Sequence, residues 1–177
     1  DSACPRDEPS FWLMAVGGTS GSAGTFMKQA RILMGMLFTV EVVDAAAMDI
    51  FERVFDYFIS VDETFSTYKE QSEISRINQG ALSLEAASTE MRTVFALAEQ
   101  TRRETDGYFD IAHDGVYDPS GLVKGWAIRN AADIIRHAGY ANFYVSAGGD
   151  VQAVGLNGHG EPWRVGIQNP FNLEQIV

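Results

Sequence analysis

The chain has 177 residues, 46% of them hydrophobic and 21% charged, and a formal net charge of -11. That length and balance suit one globular domain, or two small lobes on a shared core. The excess of acid argues against DNA, RNA or an anionic membrane as the main partner, and the longest uncharged apolar stretches fall short of a bilayer span.

Residues 1–30 read as a flexible leader, because "GGTSGSAGT" (Gly17 to Thr25) is rich in small polar residues and has no period. Residues 31–177 read as the folded part. Cys4 is the single cysteine, which excludes an internal disulfide and a cysteine metal cluster. It could carry a lipid anchor, although "DSAC" has Asp where a lipobox wants a large aliphatic residue.

"LFTVEVV" (Leu37 to Val43) is β-branched and aromatic, the composition of a strand, and Asp44 can cap the helix after it. Met48, Phe51, Val54, Phe55, Phe58 and Val61 then recur at three- and four-residue steps and form one apolar helix face. "DETFSTYKEQSEISRIN" (Asp62 to Asn78) is polar and poorly periodic, so it reads as an ordered loop or a short broken helix. Ser88 caps a second helix, with Met91, Val94, Phe95 and Ala98 on its buried face and Gly107 as its C-cap. "YFDIAHD" follows as a short strand or extended turn. From Trp126 onward Ala127, Ile128, Ala131, Ile134, Ile135 and Ala138 line a third helix that closes at Gly139. "NFYVSAGGDVQAVG" reads as strand, tight turn and strand, and "PWRVGIQNP" as a last strand ending in a turn. The fold class is α+β, with a mixed or antiparallel sheet packed by about three helices.

The candidate chemistry lies in the loops. In "DPSGLVKGWA" (Asp118 to Ala127), Pro119 and Gly121 force a turn and Gly125 permits close approach of a ligand or backbone. A helix starting there would offer N–H groups and a dipole to an anion, with Lys124 adding a point charge. The spacing is not that of a P-loop, and a capped helix with a solvated Lys explains the same residues equally well. Asp110, Asp114, Asp118 and Asp150 are oxygen donors of the kind that suit magnesium. His113, His137 and His159 have no zinc spacing, and no nucleophile elbow is present.

Taken in order, "MG" (Met34, Gly35), "FSTYKEQSEISRIN", "DGYFDIA", "DPSGLVKGWA", "SAGGDV" and "PWRVGIQNP" resemble the FAD:protein FMN transferase (ApbE-type) family over about residues 32–170. The resemblance implies that FAD and magnesium bind here. It also implies that FMN passes to a Thr or Ser hydroxyl of an acceptor flavoprotein and that AMP is released. By the same resemblance Met34, Tyr68, Asn78, Tyr108, Phe109, Asp110, Asp118, Lys124, Gly148, Gly149 and Asp150 contact or shape the FAD site. Lys124 and Asp118 are the catalytic pair, and the Gly121 carbonyl is a magnesium ligand. The family's later "D-P-x-T-G" and "D-A-x-x-T" motifs, which carry the remaining metal ligands, are not found in these residues. The resemblance is therefore to the N-terminal and central part of the domain, or to a form that cannot complete the metal site. The stretch from Ile111 to Tyr117 is also short beside larger members. An FAD-binding module without transferase activity is the alternative reading. Members of the family often work outside the cytoplasm on a lipid anchor, and this leader carries no clear signal for that.

Overall fold

The computed structural model describes residues 15–16, 26–43, 48–169 and 171–176. In chain order these form β1 (Ala15–Val16), β2 (Met27–Leu33), β3 (Met36–Val42), α1 (Met48–Phe65), α2 (Glu73–Asn78) and α3 (Thr89–Glu104). There follow β4 (Ala112–His113), β5 (Val116–Tyr117), α4 (Ser120–His137), β6 (Phe143–Ala147), β7 (Asp150–Val154), β8 (Gln168–Asn169) and β9 (Asn172–Ile176). The main sheet has the order β1-β2-β3-β6-β7 and is antiparallel throughout. The fold is α+β, with four α-helices among the described residues.

Phe38, Val40 and Val42 of β3 lie opposite Ala147, Val145 and Phe143 of β6, and all six are buried. Cross-strand partners share a face, so this register makes the inner surface of the sheet. The apolar stripe of α1 covers it: Phe51, Val54, Phe55 and Phe58 are fully enclosed. Each such phenyl or branched side chain contributes about 1.5–3 kcal/mol by leaving water. α4 joins the same core through Val123, Ala127, Ile128, Ala131 and Ile135. Its small alanines let it lie close to α1, because interaxial distance follows the side chains at the contact.

Three links hold α4 against α1. Trp126 meets Phe65 edge-on at 5.7 Å between ring centroids and Tyr57 at 6.5 Å. The Asn130 amide donates to the Tyr57 hydroxyl at 2.9 Å.

Several elements differ from the sequence reading. Strand β2 begins at Met27, inside the stretch read as leader. It escapes a period-two reading because its inward positions include polar residues: Gln29 is buried, and Arg31 stacks over the Phe55 ring at 4.3 Å. The stretch from Asp62 to Asn78 takes the broken-helix alternative, with the end of α1, a turn, and α2 capped by Ser72. α4 begins at Ser120, six residues ahead of Trp126, so Lys124 lies in its second turn. At the end of α3 the left-handed backbone begins one residue early, at Asp106 with φ of 51°, and continues at Gly107 with φ of 81°, whose N–H donates to Arg102 O at 2.7 Å. "PWRVGIQNP" is strand only at Gln168–Asn169. Cys4, Asp44 and most of the leader lie outside the described residues.

Burial pushes the Tyr57 hydroxyl up to about 12, and the Asn130 bond offsets this only in part. A raised tyrosine pKa means that the native state resists ionisation, so the stability it carries is intact below pH 10 and is lost as pH rises toward 12. Alkaline difference spectroscopy should therefore show one of the six tyrosines ionising last, together with unfolding. Tyr57→Phe should remove that last step.

Candidate functional site

Two tight turns meet at one end of the sheet. Met34–Gly35 joins β2 to β3, with φ of 51° and 71°, and Gly148–Gly149 joins β6 to β7, with φ of 53° and 93°. Two successive positive φ angles are the signature of a type I′ hairpin, which glycine adopts without strain. The pairing of Phe38 with Ala147 places both turns at the same end.

Lys124 reaches this end from α4. Its Nζ lies 3.1 Å from Asp150 Oδ2, and both side chains keep part of their surface in water. Asp150 opens β7 opposite the buried Ala147, so it lies on the helix-covered face of the sheet. Gly148 closes the group: a Cβ there would sit 3.0 Å from Met36 Sδ and 3.7 Å from Lys124 Nζ. Lys124, Gly148, Gly149 and Asp150 are therefore brought together, with the Met34 turn beside them. Met36 belongs to this group too. Nothing in the local pattern marked it, because its neighbour Gly148 is far along the chain.

The mouth of α4 is built from short bonds. The Asp118 N–H donates to Ile111 O at 2.8 Å, and the Ser120 N–H donates to Asp118 Oδ1 at 3.0 Å. Leu122 and Val123 both donate to Pro119 O at 2.9 Å. The helix start therefore offers an anion fewer open N–H groups than the sequence suggested, with Gly121 the remaining first-turn donor among the described bonds. Half-buried Phe109 packs on Gly121, 3.5 Å from where a Cβ would stand. Asp110 caps its own turn by accepting from the Ala112 N–H at 2.9 Å. Gly125 faces open space, with no atom within 4 Å of a Cβ placed there.

The polar residues of "SEISRIN" tie α2 to its surroundings. Ser72 donates to Ser66 O at 2.7 Å, and Glu73 accepts from the Ser88 hydroxyl at 2.6 Å and its N–H at 3.0 Å. Asn78 Nδ2 donates to Tyr117 O at 2.9 Å, and the Tyr117 N–H donates to Asn78 Oδ1 at 2.8 Å. Tyr68 and Tyr108 stand apart from these contacts, each 97% exposed. Tyr68 nevertheless rides on a fixed turn, since the adjacent Lys69 pairs with Asp62 at 2.6 Å. Between β4 and β5 the chain turns in two residues, Asp114 and Gly115, so the stretch read as short is a minimal hairpin.

Among the described residues, no three His, Cys, Asp or Glu side chains converge as a metal cage. At the mouth of α4 the Asp118 carboxylate is the hard oxygen donor, while the Gly121 carbonyl, already inside the helix, points along its axis. Such a sparse set fits magnesium, which takes most of its ligands from phosphates and water.

These features define an α+β domain with a cation, two glycine turns and a helix mouth gathered at one end of its sheet. The chain belongs to the ApbE family, whose model matches residues 34–118 and 114–177. The two matches meet at the minimal β4–β5 hairpin. A FAD:protein FMN transferase of Vibrio cholerae is 27% identical, with 62% of this chain and 48% of that protein covered. The chain thus spans about half the length of this curated relative. The solved flavin transferase ApbE of Vibrio cholerae superposes with a TM-score of 0.74 at 23% identity, covering 82% of this chain and 64% of that one. The apo flavinyl transferase ApbE of Pseudomonas stutzeri gives 0.75 at 21% identity, covering 90% and 67%. Likeness at these identities shows a shared fold.

The crowding at Gly148 is directly testable. Gly148→Ala should lower unfolding stability by about 1–2 kcal/mol, from the left-handed backbone and the clash with Met36. Denaturant midpoints measure this. For Gly149→Ala no atom lies within 4 Å, so any loss there comes from its φ of 93° alone.

Proposed function

We propose that this chain carries the flavin-nucleotide part of a magnesium-dependent FAD:protein FMN transferase, which moves FMN from FAD to a Thr or Ser hydroxyl of an acceptor protein. Family membership supports the reading, as do relatives that bear this name. The observation that carries it is the position of Lys124, a cation in a strongly acidic chain, held by Asp150 beside the Gly148–Gly149 turn and on the helix whose mouth holds Asp118 and Gly121.

The chemistry is phosphoryl transfer. The acceptor hydroxyl oxygen bonds to the FMN phosphorus, the pyrophosphate P–O bond breaks, AMP leaves with the bridging oxygen, and the hydroxyl proton passes to solvent. Such a reaction needs positioning and charge neutralisation more than covalent help from the protein. Lys124 binds phosphate oxygens and stabilises the charge that grows on them. Asp150 keeps the ammonium at the sheet end until phosphate competes for it. Asp118 and the Gly121 carbonyl would hold magnesium, which would supply Lewis-acid neutralisation of the phosphate charge there. Phe109 and Tyr68 offer flat faces to a ring system.

Magnesium-dependent AMP release from FAD, with FMN appearing on a Thr-bearing acceptor, tests the reading in the full-length protein. Lys124→Ala should lower kcat/KM by about 100-fold or more, the scale of losing one charge-stabilising donor. Binding of FAD without AMP release on adding magnesium would instead make this an FAD-holding module. Unchanged FAD binding by Lys124→Ala would remove the role given to that residue.

Gly125 separates ligand binding from folding. It is an exposed glycine inside a helix with open space at its Cβ position, so Gly125→Ala should stabilise the fold by about 0.5–1 kcal/mol. If the open space admits FAD, the same variant binds FAD more weakly while melting at a higher temperature. Calorimetry and flavin fluorescence on one sample distinguish the two effects.

A further inference from the structure

We infer that Asn78 is a positioning residue that sets the mouth of α4 through the backbone of Tyr117. The inference rests on the reading that this mouth holds the phosphate end of FAD. The Asn78 amide satisfies both backbone groups of Tyr117, donating to its carbonyl at 2.9 Å and accepting from its N–H at 2.8 Å. A neighbouring strand would make the same pair of bonds, and here one side chain replaces the strand. β5 is two residues long and its other ladder is the two-residue β4, so Asn78 holds its backbone while the Tyr117 ring rests edge-on against Phe95 at 5.0 Å.

From Tyr117 the constraint passes along the chain without a loose joint. Asp118 is bonded to Ile111, Ser120 to Asp118, and both Leu122 and Val123 to Pro119. Asn78 itself stands on a rigid base, since Ser72 and Glu73 tie α2 to Ser66 and Ser88, and Ile74 is fully buried. Lys124 depends on different contacts. Trp126 and Asn130 seat the body of α4 on α1, and Asp150 holds the ammonium. Asn78 therefore governs Asp118, which precedes the helix, and leaves Gly121 and Lys124, which lie within it, in place.

A double-mutant cycle in the full chain, with FAD as the probe and flavin fluorescence as the readout, tests this division. Alone, Asn78→Ala should weaken FAD binding about tenfold, because the mouth that these two bonds hold ready in the free chain must then be ordered on binding. In a Lys124→Ala background the same tenfold loss should recur, because the two act independently. In an Asp118→Ala background the loss should shrink below about twofold, because residues acting through one another are not additive. Melting temperatures are measured for every variant. A direct contact of Asn78 with FAD would give the full loss in all three backgrounds, and that overturns the inference. A loss that follows the melting temperature equally in all three marks a merely structural role and also overturns it. Failure of the parent chain to bind FAD overturns the functional reading itself, a result distinct from either.

Discussion

The seating of α4 on α1 is the contact on which the rest of this architecture depends. Trp126 lies against Phe65 and Tyr57, and Asn130 bonds the Tyr57 hydroxyl in the same seam. Val123 and Ala127 are buried on either side. A helix turns by about 100° per residue, so fixing these positions fixes the direction of Lys124 between them. The lysine then has one partner at hand, Asp150 at the sheet end. A helix free to roll would offer the same cation to solvent and to no site.

Against that fixed helix, the sheet contributes turns whose backbone can approach closely. Gly148 lies against both Met36 and the reach of Lys124, so a side chain there would be tight against the Met36 sulfur and strained by the positive φ. Polar side chains then complete the arrangement by acting as backbone partners. Asn78 stands in for a strand beside Tyr117, and Glu73 accepts both the hydroxyl and the N–H of Ser88 at the start of α3. The motif "SEISRIN" thus works as a fastening between α2, α3 and the α4 mouth, with Glu73 and Asn78 carrying the polar links and Ile74 anchoring it in the core.

Elements with strong local causes were legible in the chain. α1 shows an unbroken three- and four-residue apolar repeat, α3 has Ser88 at its cap, and two adjacent glycines specify the β6–β7 hairpin. Elements without such causes were not. β2 carries Gln29 and Arg31 on its inward side, so no alternation marks it, and Arg31 is tolerated there because its guanidinium stacks on Phe55. The start of α4 reads as a turn because Pro, Ser and Gly occupy it. Proline suits a helix start, and Asp118 supplies the side-chain oxygen that bonds the Ser120 N–H there. The last strand was overextended from "PWRVGIQNP", where the chain instead runs irregularly after the bridge between Leu156 and Pro162.

The amino-acid sequence by itself determined the α+β class, the apolar faces of the long helices, the order of the loop motifs and the membership that this order signals. Each depends on residues within a few positions of one another, where period, capping and glycine content act directly. Tertiary structure alone decided which loops meet. Lys124 with Asp150, Asn78 with Tyr117 and Met36 with Gly148 are contacts between distant segments, set by strand register and by the packing of α4. It also left Tyr68 and Tyr108 exposed. Local propensity carries no information about such pairs, because their geometry exists only once the sheet and helices have closed on a common core.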